Sequence, residues 1–152
     1  MQRIQKIRSI LEEKQIDAIL IKSRSNKRYL GALTGSGVKV LVTRDELYQI
    51  MDGRYSNEAR ETTSGFIPVV HEQGNSYLDE VVRRLGSHDR MGIEAGKDVV
   101  KENLSMQEDG LKNVLLEHEL EEARRGKEAQ EIAMVRKACD INAPTVPAQN
   151  AP

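Results

Sequence analysis

The chain has no tryptophan, one phenylalanine, one cysteine and four prolines, and its aromatic content is only 3%. So few flat side chains leave no stacking platform for bases, and the core has to be aliphatic. A single thiol, Cys139, closes no internal disulfide and holds no zinc by itself, which makes it a helix-edge residue and the cytoplasm its natural compartment. Nor is there an excess of charge of either sign: Lys+Arg 23 against Asp+Glu 24 gives a net charge of -1. Such a balance supplies no global field for nucleic acid or anionic lipid. No apolar run is long enough to span a membrane, and the opening MQRIQKIRSILEEKQ lacks the unbroken apolar stretch of a signal peptide.

What remains is one ordinary domain of 152 residues, 38% hydrophobic and 31% charged. Ile4, Ile7, Ile10 and Leu11 recur at helical spacing at the N-terminus. A buried strand is predicted from Ala18 to about Lys22. Val38–Thr43 and Leu47–Asp52, joined by a short polar link, form an antiparallel hairpin. Asp52 is placed to accept a backbone N–H at the start of a helix through RYSNEARET. FIPVV is a strand whose Pro68 puts it at an edge or a bulge. Asn75 or Ser76 caps a helix carrying Leu78, Val81, Val82 and Leu85. RMGIEA and NVLLEH are strands, separated by a helix, DVVKENLSMQEDG, that Gly110 stops. From Glu121, an amphipathic helix aligns Ile132, Val135, Ala138 and Ile141 on one stripe, with Glu128, Glu131, Arg136 and Lys137 outside it. Pro144 ends it, and 143–152, with three of the four prolines, reads as a disordered tail. Helices and strands alternate around a hairpin, giving an α/β layer fold with a mixed β-sheet.

The stretch YLGALTGSGVKVLVT raises the main question, because Gly35 and Gly37 could cradle a phosphate, shape a substrate loop or only turn a corner. No Gly-Lys-Ser/Thr follows, and the glycines precede a strand and not a helix, so both nucleotide fingerprints fail. His71, His88 and His118 stand far apart without metal-ligand spacing, each a surface or loop residue, and no carboxylate pair suggests an acid/base couple. Lys22, Arg24, Lys27 and Arg28 in KSRSNKR form either a solvated loop or a carboxylate or phosphate contact, which Arg28 is able to make bidentately.

Taken in order and spacing over about 1–142, NKRYLGALTGSGVKVLVT, MDGRY with NEA, GIEA and RRGKEAQEIAMVRKA together resemble the N-terminal, creatinase-like domain of the Xaa-Pro peptidase family (aminopeptidase P and prolidase). The family's Asn-x-x-Tyr-Leu-Thr-Gly-Phe-Thr-Gly-Ser falls on Asn26, Tyr29, Leu30, Gly31, Ala32, Leu33, Thr34, Gly35 and Ser36. Gly31, Ala32 and Leu33 depart from the usual Thr, Gly and Phe. The resemblance implies a three-layer creatinase/prolidase N-terminal fold with a ribonuclease H-like motif over 1–125, a linker helix over 126–142 and the tail beyond. It also implies that two divalent metal ions and their ligands lie in a separate C-terminal "pita-bread" domain, so that this sequence is an excised domain or a truncated product with no catalytic or metal-binding residue of its own. The implied partners are its own catalytic domain, a second copy in a homodimer, and proline-containing peptides.

On that reading, Asn26, Arg28, Tyr29, Leu33, Gly35, Ser36 and Gly37 belong to a loop that walls the partner subunit's peptide site, the glycines permitting backbone shapes closed to other residues. Asp52, Gly53, Arg54 and Tyr55 form a structural motif. Loss of the aromatic at Leu33 weakens the substrate-side contact. The alternative function is an independent, non-catalytic peptide- or protein-binding module of the peptidase-like kind found in some chromatin factors.

Overall fold

A computed structural model describes residues 2–62, 65–72, 74–86, 89–96, 104, 106–127 and 129–142. The elements are α1 (Gln2–Lys14), β1 (Ala18–Ile21), α2 (Arg24–Leu30), β2 (Lys39–Thr43), β3 (Leu47–Met51), a 3-10 turn (Gly53–Tyr55), α3 (Ser56–Thr62), β4 (Ile67–Val70), α4 (Tyr77–Arg84), β5 (Arg90–Glu94), β6 (Lys112–Leu116), α5 (Glu119–Arg125) and α6 (Ala129–Asn142).

The strands form a six-stranded mixed sheet in the order β4-β3-β2-β1-β5-β6. The β1–β2 pair, joined through α2, and the β2–β3 pair, joined by the short 44–46 link, are antiparallel, and β3–β4, β1–β5 and β5–β6 are parallel. Alternation along β1 sets the layers. Ile19 and Ile21 face a core built with Ile7, Ile10 and Leu11 of α1, Tyr29 and Leu30 of α2, and Leu120 of α5. Ala18 and Leu20 face a second core with Leu41, Ile50, Val81 of α4, Met91, Ile93 and Met106. All four β1 residues are at most 1% exposed, so the sheet is covered on both faces and the fold is the expected three-layer α/β sandwich.

The edge prediction holds: β4, with Pro68, is an outer strand. Ser76 caps α4 in a capping box, its backbone N–H donating to Asp79 Oδ2 at 2.6 Å while its Oγ accepts from the Leu78 N–H at 3.1 Å. Two expectations are corrected. The basic run is not a solvated loop: Arg24–Leu30 is helix α2, capped at its start by Ser23 and at its end by Gly31 in the left-handed region (φ 78). The single C-terminal helix is two, α5 and α6, with extended backbone at Gly126 between them. The helix expected at 98–110 is described only at 104 and 106–108, ahead of Gly110 at φ 87. His88, Glu128 and 143–152 lie outside the described residues.

Candidate functional site

The carboxyl ends of β1 and β5, and the loops after β1 and α2, bring together most of the residues singled out in the sequence. At the end of β5, Glu94 accepts from the backbone N–H groups of Lys22 (2.6 Å) and Ser23 (2.7 Å), the Ser23 hydroxyl (2.7 Å) and Asn26 Nδ2 (2.5 Å). One carboxylate thus ties the start of α2 to a strand 68 or more residues away, at the helix end where negative charge is favoured. Asn26 is 6% exposed, so its amide serves this tie and is not offered to solvent. Tyr29 is also buried, donating from its hydroxyl to the Ala123 carbonyl at 2.9 Å, with the Arg3 guanidinium 5.2 Å from its ring centre. Arg28, like Arg24, is exposed on the outer side of α2.

Lys27 is 1% exposed. Its Nζ donates to the carbonyls of Gly35 (2.7 Å) and Val38 (2.9 Å), pinning the connection between α2 and β2 from beneath. Burial pushes its ammonium down to about 8, the nearby Lys39 adding to the effect and Glu94 opposing it. A neutral amine still carries the two N–H groups those carbonyls need.

From the other side the same connection meets the Asp-Gly-Arg-Tyr motif. A Cβ on Gly35 would lie 2.5 Å from the Tyr55 ring, and one on Gly37 would lie 2.5 Å from Asp52 Oδ2 and 2.8 Å from the ring. Neither glycine has a positive φ, unlike Gly31, Gly65, Gly74 and Gly110. The reason for glycine here is therefore close approach and not an unusual backbone shape, which corrects the conformational argument. Asp52 caps the 3-10 turn by accepting from the Arg54 N–H at 3.0 Å and takes the Arg54 side chain on both oxygens at 3.0 and 2.8 Å. That pairing holds the Asp52 carboxyl down to about 2. Gly53 starts the turn, and a Cβ there would meet nothing within 4 Å.

Leu33 sits in a small core with Val38, Met51 and Ala59, and its N–H donates to the buried Gln49 Oε1 at 2.8 Å. It is an inward residue in this domain, not a contact at the loop surface. What the loop exposes is Gly31 and Ser36. Sequence reading missed Glu94 and Gln49 and took Lys27 only as one of a basic run; GIEA and NKRY contain Glu94 and Lys27, but what each holds depends on the β1–β5 and α2–β2 geometry.

Among the described residues, no group of three His, Cys, Asp or Glu is placed to hold a metal ion, and no helix is long and apolar enough to cross a membrane. Cys139 is exposed on α6. His71 follows β4 and His118 is exposed just before α5.

A relative from Bacillus subtilis (strain 168), the uncharacterized peptidase YqhT, is 30% identical over 94 residues, 60% of this chain and 26% of its own length. The fold is similar to that of a Xaa-Pro dipeptidase from Bacillus anthracis, with a TM-score of 0.78 at 24% identity, covering 90% of this chain and 39% of the dipeptidase. It is also similar to the separately solved N-terminal domain of the cytoplasmic peptidase PepQ from Mycobacterium tuberculosis H37Rv, with a TM-score of 0.67 at 22% identity over 80% of this chain and 97% of that domain. The chain thus spans about a quarter of YqhT and well under half of the dipeptidase. The family model described as Creatinase/Prolidase N-terminal domain matches residues 3–126, the stretch that holds the whole sheet, the Glu94 tie and the Tyr55-packed loop, and the chain belongs to that family.

Proposed function

We infer that this domain is the non-catalytic N-terminal part of a metal-dependent Xaa-Pro aminopeptidase or dipeptidase, supporting dimerisation and walling the partner subunit's peptide site with the 31–38 connection. The observation that carries this reading is the loop's construction. Lys27 from beneath and Tyr55 and Asp52 from the side fix it to the sheet, while Ser36 remains exposed at its tip. A wall has to be rigid and has to present a side to its neighbour, and this loop does both. In this proposal α6 leads toward the catalytic part, which would hold two divalent ions to activate water.

The test has two parts. The coding sequence downstream of Asn142 should specify the Asp, Asp, His, Glu and Glu ligand set, and this chain alone should hydrolyse no Xaa-Pro peptide with manganese, cobalt or zinc. In the joined enzyme, Ser36→Arg should lower kcat/KM roughly tenfold or more, as crowding of a positioned substrate does, without moving the Tm. Wild-type kcat/KM in that variant would reduce the loop to a structural turn, and metal-dependent turnover by the chain alone, abolished by a chelator, would refute the non-catalytic assignment.

A further inference from the structure

A groove of about 1010 Å³ runs between α2 and the α5–α6 junction, and cations dominate its walls. Arg24 and Arg28 line it from α2, and Arg124 and Lys127 line it from the junction. Among the described residues, its one lining carboxylate is Glu131, which is 3.2 Å from Arg3. Among the described residues, none of Arg24, Arg28, Arg124 and Lys127 has a carboxylate within salt-bridge distance. Elsewhere in the chain Arg44, Arg54, Arg83 and Arg84 each have one. Four uncompensated positive charges on one groove repel one another, a cost that an anion removes. Arg124 adds a second sign of a missing partner, because its Nε is buried without an acceptor among the described residues.

The geometry narrows the anion. Arg24 and Arg28 are one helical turn apart, so their side chains leave α2 about 6 Å from each other. Alternate side chains of an extended peptide recur on one face at about 6.6 Å. The groove offers no exposed ring on which a base could stack: Tyr29 is 7% exposed and lies under Arg3. Beside the cations, Met134 gives an exposed, adaptable apolar contact for the residues between two carboxylates.

We propose that this groove binds an extended acidic peptide segment, with Arg24 and Arg28 taking carboxylates two residues apart and Arg124 and Lys127 taking a third. The proposal concerns this chain's own groove residues and needs no catalytic partner. Its test is therefore independent of that assignment.

Fluorescence anisotropy of the 152-residue chain with a capped, fluorescein-labelled Glu-Ala-Glu-Ala-Glu peptide should show saturable binding at least tenfold tighter than that of the Gln-Ala-Gln-Ala-Gln counterpart. Arg24→Gln/Arg28→Gln should weaken it by tenfold or more, and Lys127→Gln by a smaller factor, each with a wild-type circular dichroism spectrum. Arg60→Gln, an exposed charge on α3, should leave it unchanged. If the double variant is misfolded, Lys127→Gln, at an exposed position, decides the matter. Equal affinity for the Glu and Gln peptides would overturn the proposal. So would an equal loss in Arg60→Gln, which would reduce the effect to overall charge, or tighter binding of a six-nucleotide thymidine strand, which would make the groove a nucleic-acid surface.

Discussion

The connection from Gly31 to Val38 and the helix α6 make opposite uses of their side chains. In the connection, Leu33 is buried with its N–H met by Gln49, the Gly35 and Val38 carbonyls are met by Lys27, and Gly35 and Gly37 are pressed against Tyr55 and Asp52. In α6, Ile132, Met134, Val135 and Ile141 are 42–67% exposed, and Arg3 to Glu131 is a tie back to the domain. The first region spends its special residues on this chain's own fold. The second holds apolar surface that the described residues leave uncovered. A glycine-rich loop and an amphipathic helix would ordinarily be ranked the other way, with the loop as the outward-facing element and the helix as core.

The sharpest way to break that contrast is at Gly35. Because its Cβ would fall within 2.5 Å of the Tyr55 ring, Gly35→Val is expected to be the most disruptive change, costing about 3 kcal/mol by overpacking. For a chain of this size that corresponds to a Tm lower by roughly 6–12 °C. Combining Gly35→Ala with Tyr55→Ala should recover most of the loss seen for Gly35→Ala alone, since the clash and its cause are then both removed. Additive losses in thermal unfolding would mean that the glycine is required for some other reason.

Next in size is Glu94→Ala, which takes the common acceptor from the Lys22 and Ser23 N–H groups, the Ser23 hydroxyl and Asn26 Nδ2. Hydrogen bonds to a charged group contribute about 1.5–3 kcal/mol each, but the Lys22 and Ser23 groups can turn to water, so a net loss of about 2–3 kcal/mol is expected. Hydrogen exchange should localise the loss to α2. Uniform loss of protection would show that the tie holds the sheet and not the helix.

Lys27→Met sharpens the comparison through pH. The folded state holds Lys27 near 8, whereas an unfolded lysine titrates near 10.5, so between these values the unfolded chain binds more protons. Stability therefore rises with pH across this window and is burdened by the full cost of the buried ammonium below it. Lys27→Met should abolish that rise and, by stranding the Gly35 and Val38 carbonyls, lower stability at pH 9.5 by about 1–2 kcal/mol. Denaturant titrations at pH 7.5 and 9.5 check both. An unchanged slope would assign the rise to other groups.

Much of this fold is legible from period and punctuation. The short polar link between two apolar runs marked the β2–β3 hairpin, Pro68 the edge or a bulge, and Asn75 or Ser76 the start of α4, where Ser76 is the cap. Helix α2 was not legible, because Arg24–Leu30 has only seven residues, with charges at Arg24, Lys27 and Arg28 and no repeating apolar stripe. It is stable through Glu94 and the burial of Tyr29 and Leu30, contacts with distant parts of the chain that no local pattern reports. For the same reason Lys27 read as surface charge, and Gly35 and Gly37 suggested freedom where the cause is Tyr55, 20 and 18 residues further on.

The smallest expected effect is at α6, and a null result there is informative. Burying an isoleucine or valine side chain stabilises a protein by about 1.5–3 kcal/mol, so replacing two buried ones with serine would cost several kcal/mol. Ile132 and Val135 are 42% and 52% exposed in this chain, with little to lose. Ile132→Ser/Val135→Ser should therefore change the unfolding free energy of the 152-residue chain by less than about 0.5 kcal/mol, the ordinary range for surface substitutions. If α6 is the link to a catalytic part, the same pair should cost about 2 kcal/mol or more in the joined enzyme, because there the stripe has a face to bury against. Parallel denaturant titrations of the short and joined proteins measure both quantities. A large loss in the short chain would show that α6 packs on its own domain or on a second copy, which a concentration series would separate. No loss in either protein would remove the stripe from any role in the link.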